Sequence, residues 1–335
     1  MQLQFSFIIP VYNRPDEVRE LLQSFSDLDT KTDYEIVIVE DGSSLHSKSI
    51  VYSFKNTLNI SYFFKENSGP GDSRNFGMQH AKGNYFIILD SDCILPNNYL
   101  TKVEKSLSLD YVDCFGGPDA AHSSFTNLQK AINFSMTSFI TTGGIRGNKK
   151  SVNTFQPRSF NMGLSKKAFE ASNGFGQIHP GEDPDLSIRL LNLGFKTKLI
   201  PEAFVYHKRR ISWSKFYNQV NKFGLVRPIL NKWHPHTKKL TYWFPTLFCF
   251  GIIVSILLFF LNFKWLLLVY VIYFILAFVI ALISTKNVFV SVNALVAIAI
   301  QFVGYGYGFL KSTLAINLFN KTPEDYFPNL FSKLK

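Results

Sequence analysis

The strongest constraint on this fold is a long interval of the sequence without acidic residues. Aspartate and glutamate occur throughout the chain as far as Glu202, and the next acid is Glu324. Basic residues fill the first part of the interval, and apolar runs at 243–261, 265–283 and 288–310 fill the rest. Each run approaches or exceeds the ~20 residues that cross a bilayer as a helix. The sequence therefore excludes a simple soluble globular protein and predicts a soluble domain followed by membrane helices.

Composition bounds the remaining classes. The chain has 335 residues, which suggests two units, and a formal net charge of +11. The uneven distribution of charge excludes an intrinsically disordered chain and a disulfide-rich secreted domain. Three cysteines without a CxxC or Cys/His spacing indicate no zinc site. Because the positive charge lies beside apolar runs, it favours a membrane surface over nucleic acid.

The charges that flank the apolar runs predict their orientation. The basic stretch before Trp243 places that end in the cytoplasm, because positively charged loops stay on the cytoplasmic side. The N-terminus does not resemble a signal peptide, so we expect the first domain in the cytoplasm of a multi-pass protein of the cell (inner) membrane. The first two runs form a hairpin. The third carries Asn293, Gln301 and the glycines Gly304, Gly306 and Gly308, which fit packing against a neighbouring helix or a re-entrant or interfacial segment. If all three cross, the tail after Lys311 lies outside.

The first two hundred residues alternate strand-like and helix-like segments. The predicted strands are 5–10, 35–39, 60–64 and 85–89, and the predicted helices are 16–25, 73–81, 127–140 and 183–193. This alternation favours an α/β fold with a mainly parallel sheet and helices on both faces. Ligands of such sheets bind outside the carboxyl ends of the strands. The polar residues that follow the strands are therefore the first candidates for a site.

Several of these residues have chemistry that suits a phosphorylated ligand. Asp90 and Asp92 follow the last predicted strand and can hold Mg²⁺ or Mn²⁺ and, through it, a diphosphate; a turn or a helix cap explains most isolated D-x-D pairs. Asp41 can accept hydrogen bonds from a base or ribose, or simply form a β-turn. Arg74 begins a helix after a glycine-rich loop and can meet a phosphate. The glycines there do not fit G-x-G-x-x-G, which disfavours a dinucleotide site.

A second acidic cluster lies at a predicted helix start. Glu182, Asp183 and Asp185 can stabilise the helix terminus, or one of them can take a proton from an acceptor hydroxyl as a general base. His179 and His207 are further candidates, although each residue more often has a structural role.

The basic interval contains an amphipathic segment at 211–226, with Trp213 on its apolar face. Lysines and arginines surround it without an acid, which suits a helix in the headgroup layer. An ordinary helix packed on the domain is the alternative. The basic run 208–210 can attract the phosphate of an acceptor or anionic headgroups, and headgroups are the simpler interpretation.

Four motifs in order carry a resemblance to a known enzyme family. The segments FSFIIPVYNRPDEVRELLQSF, EIVIVEDGSS, NSGPGDSRNFGMQHAKGNYFIILDSD and GEDPDLSIRL are similar to those of family 2 glycosyltransferases, over roughly residues 4–230. The resemblance implies a GT-A fold, a nucleotide-sugar donor (expected to be UDP-linked), a divalent cation (Mn²⁺ or Mg²⁺) and inversion of the anomeric centre.

The resemblance also implies roles for the residues at the strand ends. Pro10, Tyr12 and Asp41 would border the nucleotide, and Asp90 would lie close to it. Arg74 would lie near the nucleotide and its diphosphate.

The same resemblance assigns the metal site and the base. Asp90 and Asp92 match the metal-binding pair, with Asp92 the better ligand. Asp183 matches the catalytic base, with Glu182 beside it. The acceptor hydroxyl, deprotonated by Asp183, would attack C1 of the donor sugar from the face opposite the diphosphate.

The segment FYNQVNKFGLVRP resembles a region of membrane-attached, exopolysaccharide-type members. Gln219 and Arg227 match that region, and together with Trp213 they are candidates for an acceptor or membrane interface. The segment lacks the Q-x-x-R-W form of processive synthases, since Lys222 occupies the arginine position. That departure favours transfer of a single sugar.

These features predict four segments of the chain: a GT-A domain at 1–207, an interfacial segment at 208–240, two or three transmembrane helices at 241–311 and a tail at 312–335. The leading hypothesis is an enzyme that moves one sugar to a hydroxyl of a lipid-linked glycan or polysaccharide precursor. Transfer to a polyprenyl phosphate is an alternative, and a catalytically silent scaffold in an envelope assembly complex is another. Membrane lipids are expected partners, and nucleic acid is not, because no nucleic-acid motif accompanies the charge.

Overall fold

The computed structural model describes residues 2–120, 125–143, 155–208 and 212–332. The strands are β1 (Phe5–Val11), β2 (Tyr34–Asp41), β3 (Ile60–Lys65), β4 (Tyr85–Leu89), β5 (Cys93–Ile94), β6 (Cys114–Gly116), β7 (Asp119–Ala120), β8 (Asn161–Ser165), β9 (Thr197–Leu199) and β10 (Val205–His207). The helices are α1 (Pro15–Ser26), α2 (Lys48–Ser53), α3 (Pro70–His80), α4 (Tyr99–Leu109), α5 (Asn127–Thr137), α6 (Phe139–Thr142), α7 (Lys166–Ser172), α8 (Glu182–Asn192), α9 (Trp213–Trp233), α10 (Phe244–Phe260), α11 (Trp265–Thr285), α12 (Val288–Thr313) and α13 (Pro323–Tyr326).

The chain divides into two compact units. The first comprises Met1–His122, Lys149–Lys208 and Phe331–Lys335, and the second comprises Ser123–Asn148 and Arg209–Leu330.

A seven-stranded sheet forms the centre of the first unit, in the order β3-β2-β1-β4-β8-β6-β9. The strands β3, β2, β1 and β4 are parallel, whereas β8 is antiparallel to β4 and β6. In this register Ile8 lies opposite Val37 on one side and Ile88 on the other. A separate three-stranded sheet has the order β5-β10-β7. The predicted α/β fold with a mainly parallel sheet is confirmed.

Both faces of β1, β2 and β4 are buried, which explains their nearly continuous apolar sequences. Phe7 and Ile9 of β1 belong to one hydrophobic cluster, and Ile8 between them belongs to the other. Leu21 of α1 packs in the first cluster, and Met78 of α3 packs in the second. Helices therefore cover the sheet on both faces and leave its strand ends for ligands.

The predicted elements agree with the structure within a few residues, with one exception. A single helix was expected over 127–140, and the structure shows α5 and α6 instead. The break lies at Ser138, whose backbone is extended (φ −66°, ψ 142°). The hydroxyls of Thr141 and Thr142 donate to the carbonyl oxygen of Ser138. Serine and threonine compete with helical hydrogen bonding in this way, so the prediction of one helix was wrong here.

The second unit is helical, and its longest helices pack through small residues. A Cβ atom added to Gly224 of α9 would lie 2.2 Å from the carbonyl oxygen of Tyr305 in α12. One added to Gly308 would lie 2.4 Å from the carbonyl oxygen of Asn221. The backbones of α9 and α12 therefore approach closely. Residues 125–143 also belong to this unit, although they fall inside the predicted domain 1–207, whose boundaries stay a prediction.

Three helices of the second unit are long and apolar enough to cross a membrane. They are Leu240–Phe260, Trp265–Thr285 and Val288–Leu318. This agrees with the three apolar runs read from the sequence. α9 extends the predicted amphipathic segment to Trp233 and includes Pro228.

Candidate active site

The predicted polar residues of the first unit lie where the fold ends its strands or begins a helix. Tyr12 follows β1, Asp41 ends β2 and Asp90 follows β4, and these three parallel strands are neighbours in the sheet. Glu182 and Asp183 begin α8. The carboxyl ends of β1, β2 and β4 share one edge of the sheet, so the residues that follow them are brought to that edge.

Arg74 connects the two acidic clusters. Its guanidinium group donates to Asp90 Oδ1 at 2.8 Å and to Glu182 Oε1 at 2.9 Å. The side chain is only 4% exposed. Burial alone would lower the pKa of Arg74, but Asp90 and Glu182 raise it overall, so the group stays charged. Residues far apart in the sequence are thus joined at one buried cation.

Asp92 meets a histidine from the second sheet. His207 Nε2 lies 3.1 Å from Asp92 Oδ1 and 3.8 Å from Asp90 Oδ2. The pairing of β10 with β5 causes this arrangement, because it sets His207 directly opposite Cys93, the residue after Asp92. The Nδ1 atom of His207 is buried and has no hydrogen-bond partner among the described residues. The imidazole of His207 therefore lies between the two carboxylates and closer to Asp92.

A cysteine completes the cluster in space but not in chemistry. The ligand atoms of Asp92, Cys93 and His207 all lie within 4.8 Å of one another. The thiol of Cys93 donates to the carbonyl oxygen of Phe160 at 3.4 Å, and burial raises its pKa well above the usual range. Hard cations prefer oxygen ligands. The carboxylates and His207 therefore suit Mn²⁺ or Mg²⁺, and the protonated thiol does not.

The sequence reasoning missed Arg14 at this site. Its guanidinium group donates to Asp92 Oδ2 at 2.9 Å and to Glu17 Oε1 at 3.3 Å. Arg14 lies three residues beyond the end of β1, in the same class of position that drew attention to Asp41 and Asp90. The rule of searching after strand ends would have found it, had basic residues been included there.

The start of α8 separates two adjacent acids by environment. Glu182 is 4% exposed, with His179 Nδ1 at 3.0 Å. Burial would raise its pKa, but His179 and Arg74 outweigh that effect and lower it to about 2. The pKa of Asp183 is raised, because burial outweighs the attraction of Arg158. The pKa values of these two neighbouring carboxylates are thus shifted in opposite directions.

Arg158 is the second basic residue that the sequence reasoning missed. Its Nη1 atom lies 3.5 Å from Asp183 Oδ2, and the Asp183 side chain keeps 16% of its surface exposed. The contact is longer than the bonds that hold Glu182. Asp183 is therefore the less constrained of the two acids.

Asp41 has both carboxylate oxygens in hydrogen bonds to a loop. Its Oδ1 accepts from the amide of Ser68 at 2.9 Å, and its Oδ2 accepts from the amide of Gly69 at 3.0 Å. Lys65 Nζ lies 2.7 Å from Oδ1. Gly69 has φ 93°, a conformation that favours glycine. The carboxylate thus shapes the loop before α3.

The other predicted nucleotide residues lie near the same strand ends. Tyr12 is 54% exposed, and Pro10 is half-buried within β1. Asn13 ties the loop after β1 to the loop after β2, because its side-chain oxygen accepts from the amides of Ser44 and Leu45. An exposed ring beside this joined pair of loops is available for contact with a base.

Three predicted interface residues lie in α9, in the second unit. Trp213 packs against the cluster that contains Phe216. The guanidinium of Arg227 lies 4.6 Å from the ring centroid of Tyr242, and Gln219 is half-buried. Of the basic run 208–210, residues 209 and 210 lie outside the described residues, and Lys208 Nζ pairs with Glu20 at 2.6 Å.

Comparison with known proteins gives a family match for the N-terminal part of the chain. The sequence model described as "Glycosyl transferase family 2" matches residues 6–171. An uncharacterised glycosyltransferase of Rickettsia conorii is 38% identical over 104 residues, which is 31% of this chain and 17% of that protein. The poly(ribitol-phosphate) beta-N-acetylglucosaminyltransferase TarS of Staphylococcus aureus is 37% identical over 114 residues, which is 33% of this chain and 19% of TarS. The chain thus spans less than a fifth of the length of these relatives.

Two solved structures resemble the chain to different extents. The crystal structure of S. aureus TarS 1-349 in complex with UDP-GlcNAc has a TM-score of 0.48 at 20% identity and covers 67% of each chain. The mannosyltransferase PcManGT of Pyrobaculum calidifontis, in complex with GDP-Man and Mn²⁺, has a TM-score of 0.57 at 16% identity. That alignment covers 96% of this chain and 89% of the other. The second likeness supports the fold of the whole chain.

Proposed function

The chain belongs, through residues 6–171, to glycosyl transferase family 2, and from that premise we propose that it transfers one sugar from a nucleotide-diphosphate sugar to an acceptor hydroxyl. The observation that carries the proposal is the position of Arg74. It binds Asp90, beside the candidate metal ligands, and Glu182, beside the candidate base. A donor whose diphosphate lies at one cluster would present its sugar to the other. That is the arrangement that a displacement reaction requires.

Asp92, Asp90 and His207 would hold the divalent cation. The two carboxylates supply the oxygen ligands that Mn²⁺ and Mg²⁺ prefer, and His207 Nε2 is already turned toward Asp92. When bound, the cation would stabilise negative charge on the leaving diphosphate. Arg74 is proposed to add a fixed positive charge at the same place. The Mn²⁺ in the structure of the mannosyltransferase PcManGT supports a metal of this kind.

Asp183 is the proposed base. The acceptor hydroxyl loses its proton to Asp183 as its oxygen bonds to C1 of the sugar and the bond from C1 to the diphosphate oxygen breaks. Attack from the opposite face inverts the anomeric centre. A base needs a pKa closer to neutrality than an ordinary carboxylate has. Burial shifts the pKa of Asp183 in that direction, whereas Glu182 stays ionised against Arg74.

We propose an acceptor that is held at the membrane, namely a lipid-linked glycan or polysaccharide precursor. Three helices long and apolar enough to cross a membrane support this. TarS is named for transfer to poly(ribitol-phosphate), and an Escherichia coli chondroitin synthase is 26% identical over 61% of this chain and 34% of its own length. Both names point to polymeric acceptors. The basic stretch before α10 supports a site in the cytoplasm, at the inner membrane.

The test is binding and hydrolysis of a panel of UDP- and GDP-sugars by the detergent-solubilised full chain, with Mn²⁺ supplied. We expect saturable binding to one donor, lost in Asp92→Ala. Asp110→Ala is the matched control, because Asp110 is an exposed acid in the turn after α4. A folded protein that binds no donor with metal present would overturn the proposal and favour a scaffold that lacks catalysis.

A further inference from the structure

The end of α12 lies beside the start of α10. The rings of Trp243 and Phe309 are 5.0 Å apart. The hydroxyl of Thr246 donates to the carbonyl oxygen of Gly306 at 3.0 Å. Along α12, residues later in the helix thus contact residues earlier in α10. The C-terminal half of α12 runs back toward the point where the apolar region begins.

The start of α12 lies beside the end of α11. Only Lys286 and Asn287 separate the two helices. Ala281 of α11 belongs to the same hydrophobic cluster as Val290 and Ala294 of α12. The three helices therefore form a closed circuit, in which each ends where the next begins. A closed path crosses any plane an even number of times, so these three helices cannot all cross the bilayer.

The packing of α12 identifies it as the helix that stays at the surface. In its most apolar stretch, 39% of the residues of α12 are buried, whereas the share is 11% in each of α10 and α11. Its partner α9 carries several basic residues: Lys215, Lys222, Arg227 and Lys232. Ser135 of α5 donates to Gln301 of α12 at 2.6 Å, and Asn221 of α9 donates to the carbonyl oxygen of Gly304 at 3.0 Å. Charged helices are costly in hydrocarbon, so a helix bound to α9 over this length lies outside it.

The opposite side of α12 is an exposed apolar stripe. Its members recur at helical spacing: Phe289, Val292, Val296, Val303, Tyr307 and Leu310. A helix with polar partners on one side and a bare apolar stripe on the other is typical of a helix lying in the membrane interface. At 26 residues, α12 extends about 39 Å along that surface.

A basic cavity lies at the end of α12. It has a volume of about 270 Å³, and its lining includes Lys232, Lys238 and Lys239. The hydroxyl of Thr313 and the Oδ1 atom of Asn231, both of which belong to lining residues, are buried without a hydrogen-bond partner among the described residues. Lys238 and Lys239 precede α10. The end of α12 therefore shares a level with basic groups that suit anionic headgroups.

The C-terminal segment gives the same result independently. Ser332 N donates to the carbonyl oxygen of Gln177 at 2.9 Å, and Phe331 forms an antiparallel bridge with Ile178. The chain leaves the first unit at Lys208 and rejoins it at Phe331. A compact unit lies on one side of a membrane, so the number of crossings between these points is even.

We propose that α12 lies in the headgroup layer with its apolar stripe toward the lipid, and that only α10 and α11 enter the hydrocarbon. The partner of this surface is an anionic bilayer. The tail after Lys311 then lies on the same side as the first unit, instead of outside, as a three-crossing topology would place it.

The test is labelling of introduced cysteines by a membrane-impermeant maleimide, in inverted and right-side-out vesicles. Cys93 and Cys114 are buried, and the Cys249→Ser parent gives the background labelling. Three exposed lysines give matched reporters: Lys31→Cys in the first unit, Lys238→Cys before α10 and Lys321→Cys after α12, each made with Cys249→Ser. We expect all three to react in the same vesicle orientation. Total reactivity in detergent normalises each position.

Reaction of Lys321→Cys only in the other orientation from Lys238→Cys would overturn the proposal. Asn317→Cys, in the same exposed stretch, is the second reporter if position 321 does not react in detergent. Donor binding by each variant shows that the fold is intact and separates this question from the proposed function. A protein without transferase activity would still give a defined labelling pattern.

Discussion

The two acidic pairs of the candidate active site are built alike but differ in environment. In each pair Arg74 binds one member: Asp90 after β4 and Glu182 at the start of α8. The other members, Asp92 and Asp183, face different neighbours. Asp92 contacts a histidine and an arginine at about hydrogen-bond distance, whereas Asp183 has one arginine at 3.5 Å. Arg74 thus holds Asp90 and Glu182 in place, and the proposed separate tasks fall to Asp92 and Asp183.

Under the proposed mechanism, this difference separates metal binding at Asp92 from proton transfer at Asp183. After β4, Asp92 contacts further polar groups, as the ligand of an ion would. At the start of α8 the two acids differ in proton affinity: Glu182 has a pKa of about 2, and the pKa of Asp183 is raised. Neighbouring acids whose pKa values are shifted in opposite directions are frequent at sites of acid–base catalysis.

The largest effect is expected from Asp183→Asn. The substitution removes the proposed base while keeping the shape of the side chain, so turnover should fall by roughly 10²–10⁴-fold. Donor affinity should change little, because Asp183 is proposed to act on the acceptor. Initial rates and donor binding in the same preparation check both points. Equal losses of turnover in Asp183→Asn and Glu182→Gln, without loss of fold, would show that the two acids are not distinct.

The pH profile of the wild-type enzyme sharpens the same point. Asp183 must be deprotonated to act as a base, and its pKa is raised by burial. The acid limb of kcat should therefore lie above the pH at which an ordinary aspartate titrates. Removing Arg158, which opposes that rise, should move the limb to still higher pH. A limb unchanged in Arg158→Met would contradict this account.

A smaller effect, on stability instead of turnover, is expected from Glu182→Gln. Glu182 is buried against Arg74, and breaking a buried ion pair typically costs about 3–5 kcal/mol. Its pKa is depressed in the folded state, so its stabilisation is present above pH ~4.5 and is lost as the pH falls toward 2. Between pH 3 and pH 6, the melting temperature of wild type should depend more steeply on pH than that of Glu182→Gln. Identical pH dependence in the two proteins would contradict a stabilising role for Glu182.

Much of this site was visible in the sequence because its residues follow strands or begin helices. Asp90, Arg74 and Asp183 were selected by such positions, and the structure brings the first two into direct contact. His207 received little weight, since only the pairing of β10 with β5 brings it to Asp92. Arg158 was missed because its contact with Asp183 also joins distant parts of the chain. Contacts between distant parts of a chain depend on strand register, which local pattern does not determine.

The apolar helices show the same limit. Length and hydropathy identified all three, and mean hydropathy is similar for the spans that contain α10 and α12, at 2.3 and 2.0. What separates them is the surface each one buries, which depends on the close approach of Gly304 and Gly308 to α9. The glycines were noted in the sequence as packing candidates. Their partner was not known until the helices were assembled.

The smallest effects distinguish the members of the metal cluster. His207→Gln should raise the Mn²⁺ concentration for half-maximal activity by tenfold or more, since even outer partners of a metal site change affinity by about 10–100-fold. Cys93→Ser should leave that concentration nearly unchanged, because its protonated thiol is bound to a backbone carbonyl. Mn²⁺ titration of donor binding measures both variants. An equal shift in the two would make the thiol a ligand and the site one for softer metals, in conflict with a role in phosphate chemistry.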